Sequence, residues 1–231
     1  MSIGTVVRGR IRRYLFSARS FQHHFIHIPK NGGVSIRRTL ELERSVSLSK
    51  PYHYRYVDIA DRVGRHLKFF SVVRNPWSRT ASRYVFAQQS TRSWPDSDPR
   101  RQYLLTASFE DYVRDQAILP IPEHPGQPWM GPLSSWFNQL EWIRDERGAV
   151  ACECLRLENL EEDLAAYLGK DVRLIHSNVT EKRYDYRSMY TEELAGIVAD
   201  TFKDDIDHFG FRFEGPATRN TVGTQCSTPG K

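Results

Sequence analysis

The chain has 231 residues, 39% of them hydrophobic, enough apolar material for the core of one domain but not of two sizeable ones. Its 33 basic residues exceed the 28 acidic ones only mildly and are spread along the sequence, which suits an acidic ligand without marking a nucleic-acid binder. Cys152, Cys154 and Cys226 have no histidine pair nearby, so they give no zinc signature, and their odd count fits a reducing compartment better than a disulfide framework.

Residues 1–22 read as a basic arm. Arg8, Arg10, Arg12 and Arg13 lead into Tyr14-Leu15-Phe16, but no apolar stretch of signal-peptide length follows, and no later run reaches the ~20 apolar residues of a membrane span. The expectation is a cytoplasmic protein whose arm is a solvated tail; a weak contact of the arm with an anionic surface is the alternative.

Residues 23–214 are expected to form one domain. Phe25 to Ile28 is a short apolar run of the kind buried on both faces of a parallel sheet, and Ile36-Arg37-Arg38-Thr39-Leu40 is compatible with a helix. A second strand is expected at Phe69 to Val73. Asn75-Pro76 then starts a helix, with Asn as cap and Pro at the first helical position. From about residue 90 to 131 the density of Pro, Trp and charge predicts an irregular excursion, a candidate acceptor-side loop. Val150 to Leu157 alternates as a third strand. Asn159-Leu160-Glu161-Glu162 resembles a capping box, followed by a Leu160, Leu164, Leu168 stripe closed by Gly169. Thr191 opens the last helix, in which Leu194, Val198, Phe202, Ile206 and Phe209 share the face expected to pack on the sheet. Residues 215–231, with little to bury, are expected to be a mobile tail. Alternating strands and helices predict an α/β fold with a central, mostly parallel sheet.

His27-Ile28-Pro29-Lys30-Asn31-Gly32-Gly33-Val34-Ser35 lies between strand and helix, the layout of an anion cradle. Gly32 and Gly33 permit close approach to the backbone, the helix N–H groups face negative charge, Lys30 supplies an ammonium and Ser35 a hydroxyl. An ordinary glycine turn is the plainer reading. Arg74, at the end of the second strand, can offer a forked pair of donors to a phosphate, or can pair with a carboxylate. Ser82 lies about 10 Å further along the helix axis, so both reach one phosphate only if Arg74 folds back over the helix.

Together the two stretches are far more specific than either alone. Phe25 to Ser35 and Val72-Val73-Arg74-Asn75-Pro76-Trp77-Ser78-Arg79-Thr80-Ala81-Ser82-Arg83-Tyr84 resemble the 5′-phosphosulfate loop and 3′-phosphate motif of sulfotransferases, most nearly the carbohydrate-type family that includes heparan sulfate 2-O-sulfotransferases and bacterial members. The resemblance continues through Arg156 to Leu164, Asp185 to Tyr190 and Asp205 to Phe211. It implies a P-loop-like α/β fold and the donor 3′-phosphoadenosine 5′-phosphosulfate, with adenosine 3′,5′-bisphosphate as product and no metal. It also implies that Lys30 holds the bridging and leaving oxygens. The backbone of Asn31, Gly32, Gly33 and Val34 with the Ser35 hydroxyl binds the 5′-phosphate, and Arg74 with Ser82 the 3′-phosphate. Lys182 and Arg183 fall where related enzymes close over the nucleotide; a solvated loop is equally open for them. Family members commonly have Thr at the positions of Asn31 and Val34, so a hydroxyl contact is lost at Val34.

Sulfuryl transfer is an in-line displacement that needs positioned oxygens, neutralised charge on the departing phosphate and a base for the acceptor hydroxyl. His53, between the two motifs and in a position resembling the family's catalytic-base region, is the candidate base, ahead of His66, with a packing role as the alternative. The acceptor is expected to be a carbohydrate or glycolipid hydroxyl, with Trp94, Tyr103, Trp129 and Trp136 able to stack on sugars or to pin the excursion to the core. Two other readings stay open. One is a P-loop-type kinase, disfavoured because Lys30 precedes the glycines and no Gly-Lys-Ser/Thr occurs; the other is a non-catalytic module for anionic glycans.

Overall fold

The computed structural model describes residues 21–41, 43–48, 53–90, 92, 95–97, 99–115, 137–175 and 185–224. Four strands, β1 (His23–Ile26), β2 (Val46–Leu48), β3 (Lys68–Val73) and β4 (Glu153–Arg156), form an all-parallel sheet in the order β2-β1-β3-β4. Helices flank it, so the expected α/β architecture with a parallel sheet is present. Side chains alternate across it. Phe25, Phe70, Val72 and Leu155 face α1 (Gly33–Leu40), while Ile26, Phe69, Val73 and Cys154 face α2 (Tyr56–Val63) and the C-terminal helices. Both faces are apolar, which is why these strands read as hydrophobic runs.

The helix α3 (Pro76–Ser90) starts where Asn75-Pro76 predicts. Asn75 Oδ1 accepts from the N–H groups of Trp77 and Ser78. In the described part of the 90–131 excursion two helices are present, α4 (Pro99–Thr106) and α5 (Phe109–Asp115), packed on α3 through Leu104 and Tyr112, while residues 116–131 lie outside the described residues. The N-terminus of α5 is a reciprocal cap, Ser108 N–H to Asp111 Oδ2 and Asp111 N–H to Ser108 Oγ, a signal that the surrounding Pro and Trp content obscures. Tyr103 donates to Asp115 at 2.7 Å, pinning α4 to α5 rather than facing a sugar. Trp94, Trp129 and Trp136 lie outside the described residues.

A short helix, α6 (Leu140–Ile143), precedes β4. The capping box at Asn159 does not form. A 3-10 turn spans Leu157–Asn159, and α7 (Leu160–Leu168) follows without a side-chain cap, ending at Gly169 in the left-handed conformation. Thr191 does cap α8 (Glu192–Thr201) through Leu194 N–H. The predicted single last helix is broken at Phe202, and α9 (Lys203–Phe209) turns Asp205 inward while Ile206 stays half-buried. The segment 215–224, assigned on composition to the mobile tail, is packed: Ala217 and Thr221 are buried and Val222 N–H donates to Cys154 O. Residues 1–20 of the basic arm, and Cys226, lie outside the described residues. Among those described, no helix is long and apolar enough to cross a membrane, and no group of three or more His, Cys, Asp or Glu could hold a metal ion.

Candidate functional site

The loops that leave the carboxyl ends of β1 and β3 meet. Arg74 Nη1 donates to the Lys30 carbonyl at 3.0 Å, and its Nε donates to Ser78 Oγ at 2.9 Å. The guanidinium therefore folds back along the first turn of α3, as a shared phosphate site requires, but its partner is Ser78. Ser82, half-buried, lies one turn on from Ser78 on the same helix face.

The Lys30 loop is strained and tightly enclosed. Lys30 has φ 68° and Gly32 φ 71°, and a left-handed lysine costs on the order of 1 kcal/mol or more. A Cβ at Gly33 would stand 1.8 Å from His27 Nε2, and one at Gly32 2.5 Å from Leu157 Cδ1, so both glycines are demanded by neighbours. Val34 is exposed on the first turn of α1, and Ser35 is half-buried beside it. Asn31 points into the fold. Its Nδ2 donates to Val72 O and to Gln139 Oε1, both at 2.6 Å, so its side-chain hydrogens are engaged inside the fold and an anion could draw only on its backbone N–H.

Lys30 Nζ sits 4.0 Å from the centre of the Phe86 ring. Burial, reinforced by the Arg83 and Arg74 charges, lowers its pKa to about 7. Buried Arg79 supports the loop from below, with Nε donating to Pro29 O and Nη1 to Phe137 O. Arg79 and Arg83 lie four residues apart on one face of α3, a spacing present in the sequence but not recognised there as functional.

His53 is brought to this loop. Its Nδ1 lies 2.9 Å from His27 O, and its ring centre 4.3 Å from that of His27. A carbonyl oxygen only accepts, so Nδ1 carries the hydrogen and Nε2 is the nitrogen left to take a proton. Burial lowers the His53 pKa, the His27 carbonyl opposes this, and Arg83, Arg37 and Lys30 lower it further, so the ring is neutral at pH 7. His66, the other candidate base, is exposed just before the amino end of β3, at the opposite edge of the sheet. His27 is buried at the end of β1, as a strand-end residue should be.

Gln139 carries no signal in the sequence, and Asp205 enters it only as the first residue of the resembling stretch to Phe211, with no role attached. Buried Gln139 bonds to Asn31, to both backbone groups of Arg74 and to Asp205. Beside Ser78 a cleft of about 220 Å³ is lined by Asn75, Glu158, Tyr186, Arg187 and Gly215 among others. Lys182 and Arg183 lie outside the described residues. No family model, curated protein or solved structure matches the chain.

Proposed function

We propose that the protein is a sulfotransferase with a P-loop-like fold, moving a sulfuryl group from 3′-phosphoadenosine 5′-phosphosulfate to a hydroxyl on a carbohydrate or glycolipid. The observation that carries this reading is the charge at the joined ends of β1 and β3. Among the described residues, every charge that shifts Lys30 and His53 is cationic, from Arg74, Arg83, Arg37 and Lys30 itself. A ligand with several negative charges relieves that repulsion, and a nucleotide phosphorylated at both ends supplies them.

In this reading the first-turn N–H groups of α1 and the Ser35 hydroxyl bind the 5′-phosphate, and Arg74, with Ser78 and Ser82, binds the 3′-phosphate. Lys182 and Arg183 remain candidates to close over the nucleotide. As the bond between sulfur and the bridging phosphate oxygen breaks, Lys30 neutralises the charge left on that oxygen. As the acceptor oxygen bonds to sulfur, His53 Nε2 takes its proton. No step calls on a metal.

Titration with adenosine 3′,5′-bisphosphate in EDTA tests the donor assignment. Binding that weakens in Arg74→Ala supports it, whereas binding of ATP only with magnesium would replace it by the kinase reading. A transfer assay with labelled donor against glycans, glycolipids and phenols then identifies the acceptor; steep, salt-sensitive glycan binding with no donor consumed would favour the non-catalytic module.

A further inference from the structure

The amide of Gln139 stands at the junction of the two turns, and the identity of each of its atoms follows from the backbone. Arg74 N–H is a donor and lies 2.8 Å from Oε1; Arg74 O is an acceptor and lies 3.0 Å from Nε2. The amide is therefore oriented without ambiguity. Oε1 also takes the Asn31 Nδ2 proton at 2.6 Å, and Nε2 also donates to Asp205 Oδ2 at 3.2 Å. Both lone pairs and both hydrogens of the side chain are used. Toward Arg74 the amide acts as a neighbouring strand would, extending the ladder one residue past the end of β3. Asp205 fixes the other end, accepting from the N–H groups of Gln139 at 2.6 Å and Leu140 at 3.0 Å.

We propose that Gln139 is a positioning residue that locks the Lys30 loop, through Asn31, and the Arg74 turn, through its backbone, into one rigid donor-binding platform anchored on Asp205. The proposal rests on the sulfotransferase reading for its ligand but not for its geometry. Its physical basis is that Asn31 and Arg74 lie on different turns and have this one buried side chain in common. Losing it removes the amide's bonds to Arg74 N–H and O and one of the two bonds of Asn31 Nδ2, in a place that water reaches poorly.

Two substitutions test it, each read by amide exchange at residues 30–35 and 74–78 and by titration with adenosine 3′,5′-bisphosphate. Gln139→Met keeps the volume and removes every bond. It should speed exchange in both turns together and weaken nucleotide binding roughly 10- to 100-fold, the range for losing a hydrogen-bonded support of a binding group. Gln139→Glu keeps the oxygen but places a carboxylate against Arg74 O and Asp205. The other ionisable groups around that point are Arg79 and Arg74 at α3 and the Cys154 thiol on β4, which burial keeps protonated. At pH 8 this variant should behave as Gln139→Met does, and near pH 5.5 the introduced carboxyl and Asp205 share a proton and slow exchange returns.

Loosening of only one turn, unchanged exchange in Gln139→Met, absence of pH rescue in Gln139→Glu, or loss of the whole fold in both variants at both pH values would each overturn the proposal. Because exchange needs no ligand, a wild-type protein that ignores the nucleotide would sink the donor assignment while leaving the role of Gln139 to be judged on its own.

Discussion

The turn after β3 takes a helix cap from its own sequence and adds remote bonds to it, whereas the turn after β1 has no cap of its own and depends on its neighbours in space for its shape. At the first, Asn75 and Pro76 start α3 within four residues, and Asn75 Nδ2 reaches the carbonyls of Arg212, Phe213 and Gly215. At the second, the residue before α1, Gly32, has no side-chain cap, and Lys30 is left-handed. Its shape is imposed by Arg74, Arg79, Gln139, His27 and Leu157. A strained, uncapped turn beside a self-capped one is the arrangement the proposed donor site would use, with Lys30 on the strained side.

Changes on the remote side should be the most damaging. The largest effect is expected from His53→Ala, which removes the proposed proton acceptor and should lower kcat by about 10²- to 10⁴-fold while nucleotide affinity stays near wild type. In wild type, because the His53 pKa lies below the usual 6.5, the acid limb of kcat/KM should fall below pH 6.5. Retained turnover in His53→Ala, or an acid limb above pH 7, would remove His53 from the chemistry.

Next comes Gly33→Ala. The added methyl would stand 1.8 Å from the His27 ring, so the loop or the ring must move, at a cost of roughly 1–3 kcal/mol in stability by chemical denaturation and a loss of nucleotide binding. In a His27→Ala background the same substitution should cost much less, since the colliding ring is gone. Additive effects would mean that Gly33 is needed for its backbone alone.

The same contrast explains what could be read in advance. The Asn75 cap, the Thr191 cap and the apolar strands depend on neighbours within a few residues, so they were legible. The two donor-like motifs were legible as residue types, yet which side chain meets which was not, because Ser78 rather than Ser82 takes Arg74 Nε. The strand β2, three residues long, is too short for any period to show. Asp205 was hidden because an unbroken four-residue ladder puts Ile206 inward, and only the break at Phe202 rotates α9. At Asn159 a tertiary bond won. Asp163 is drawn to the Arg156 backbone and guanidinium, and the chain enters α7 through a 3-10 turn instead of a capping box.

On the self-supporting side a smaller loss is expected. Asn75→Ala removes a cap worth about 0.5–2 kcal/mol, which for a domain of this size corresponds to roughly 1–8 °C in melting temperature. Its other bonds, to three carbonyls of the C-terminal segment, place the result at the upper end of that range. Nucleotide affinity should change less than in Gly33→Ala. A larger change would show that the Asn75 cap, more than Gln139, holds the Arg74 turn in its binding shape.

The smallest effect is a proton. With its pKa lowered to about 7, Lys30 is largely neutral in the empty site at pH 8, and anionic oxygens placed against it raise that pKa again. Binding of adenosine 3′,5′-bisphosphate should therefore take up a proton at pH 8, approaching one per site, and affinity should decline as pH rises through 7. The phosphates of the ligand, with a second pKa near 6, are already ionised at pH 8 and add nothing there. Binding heats in two buffers of different ionisation enthalpy measure the uptake directly. Lys30→Arg, whose guanidinium stays charged, should bind with no uptake at pH 8. If wild type shows none either, the strained lysine is charged before the ligand arrives, and the β1 turn stores conformational strain without a protonation step.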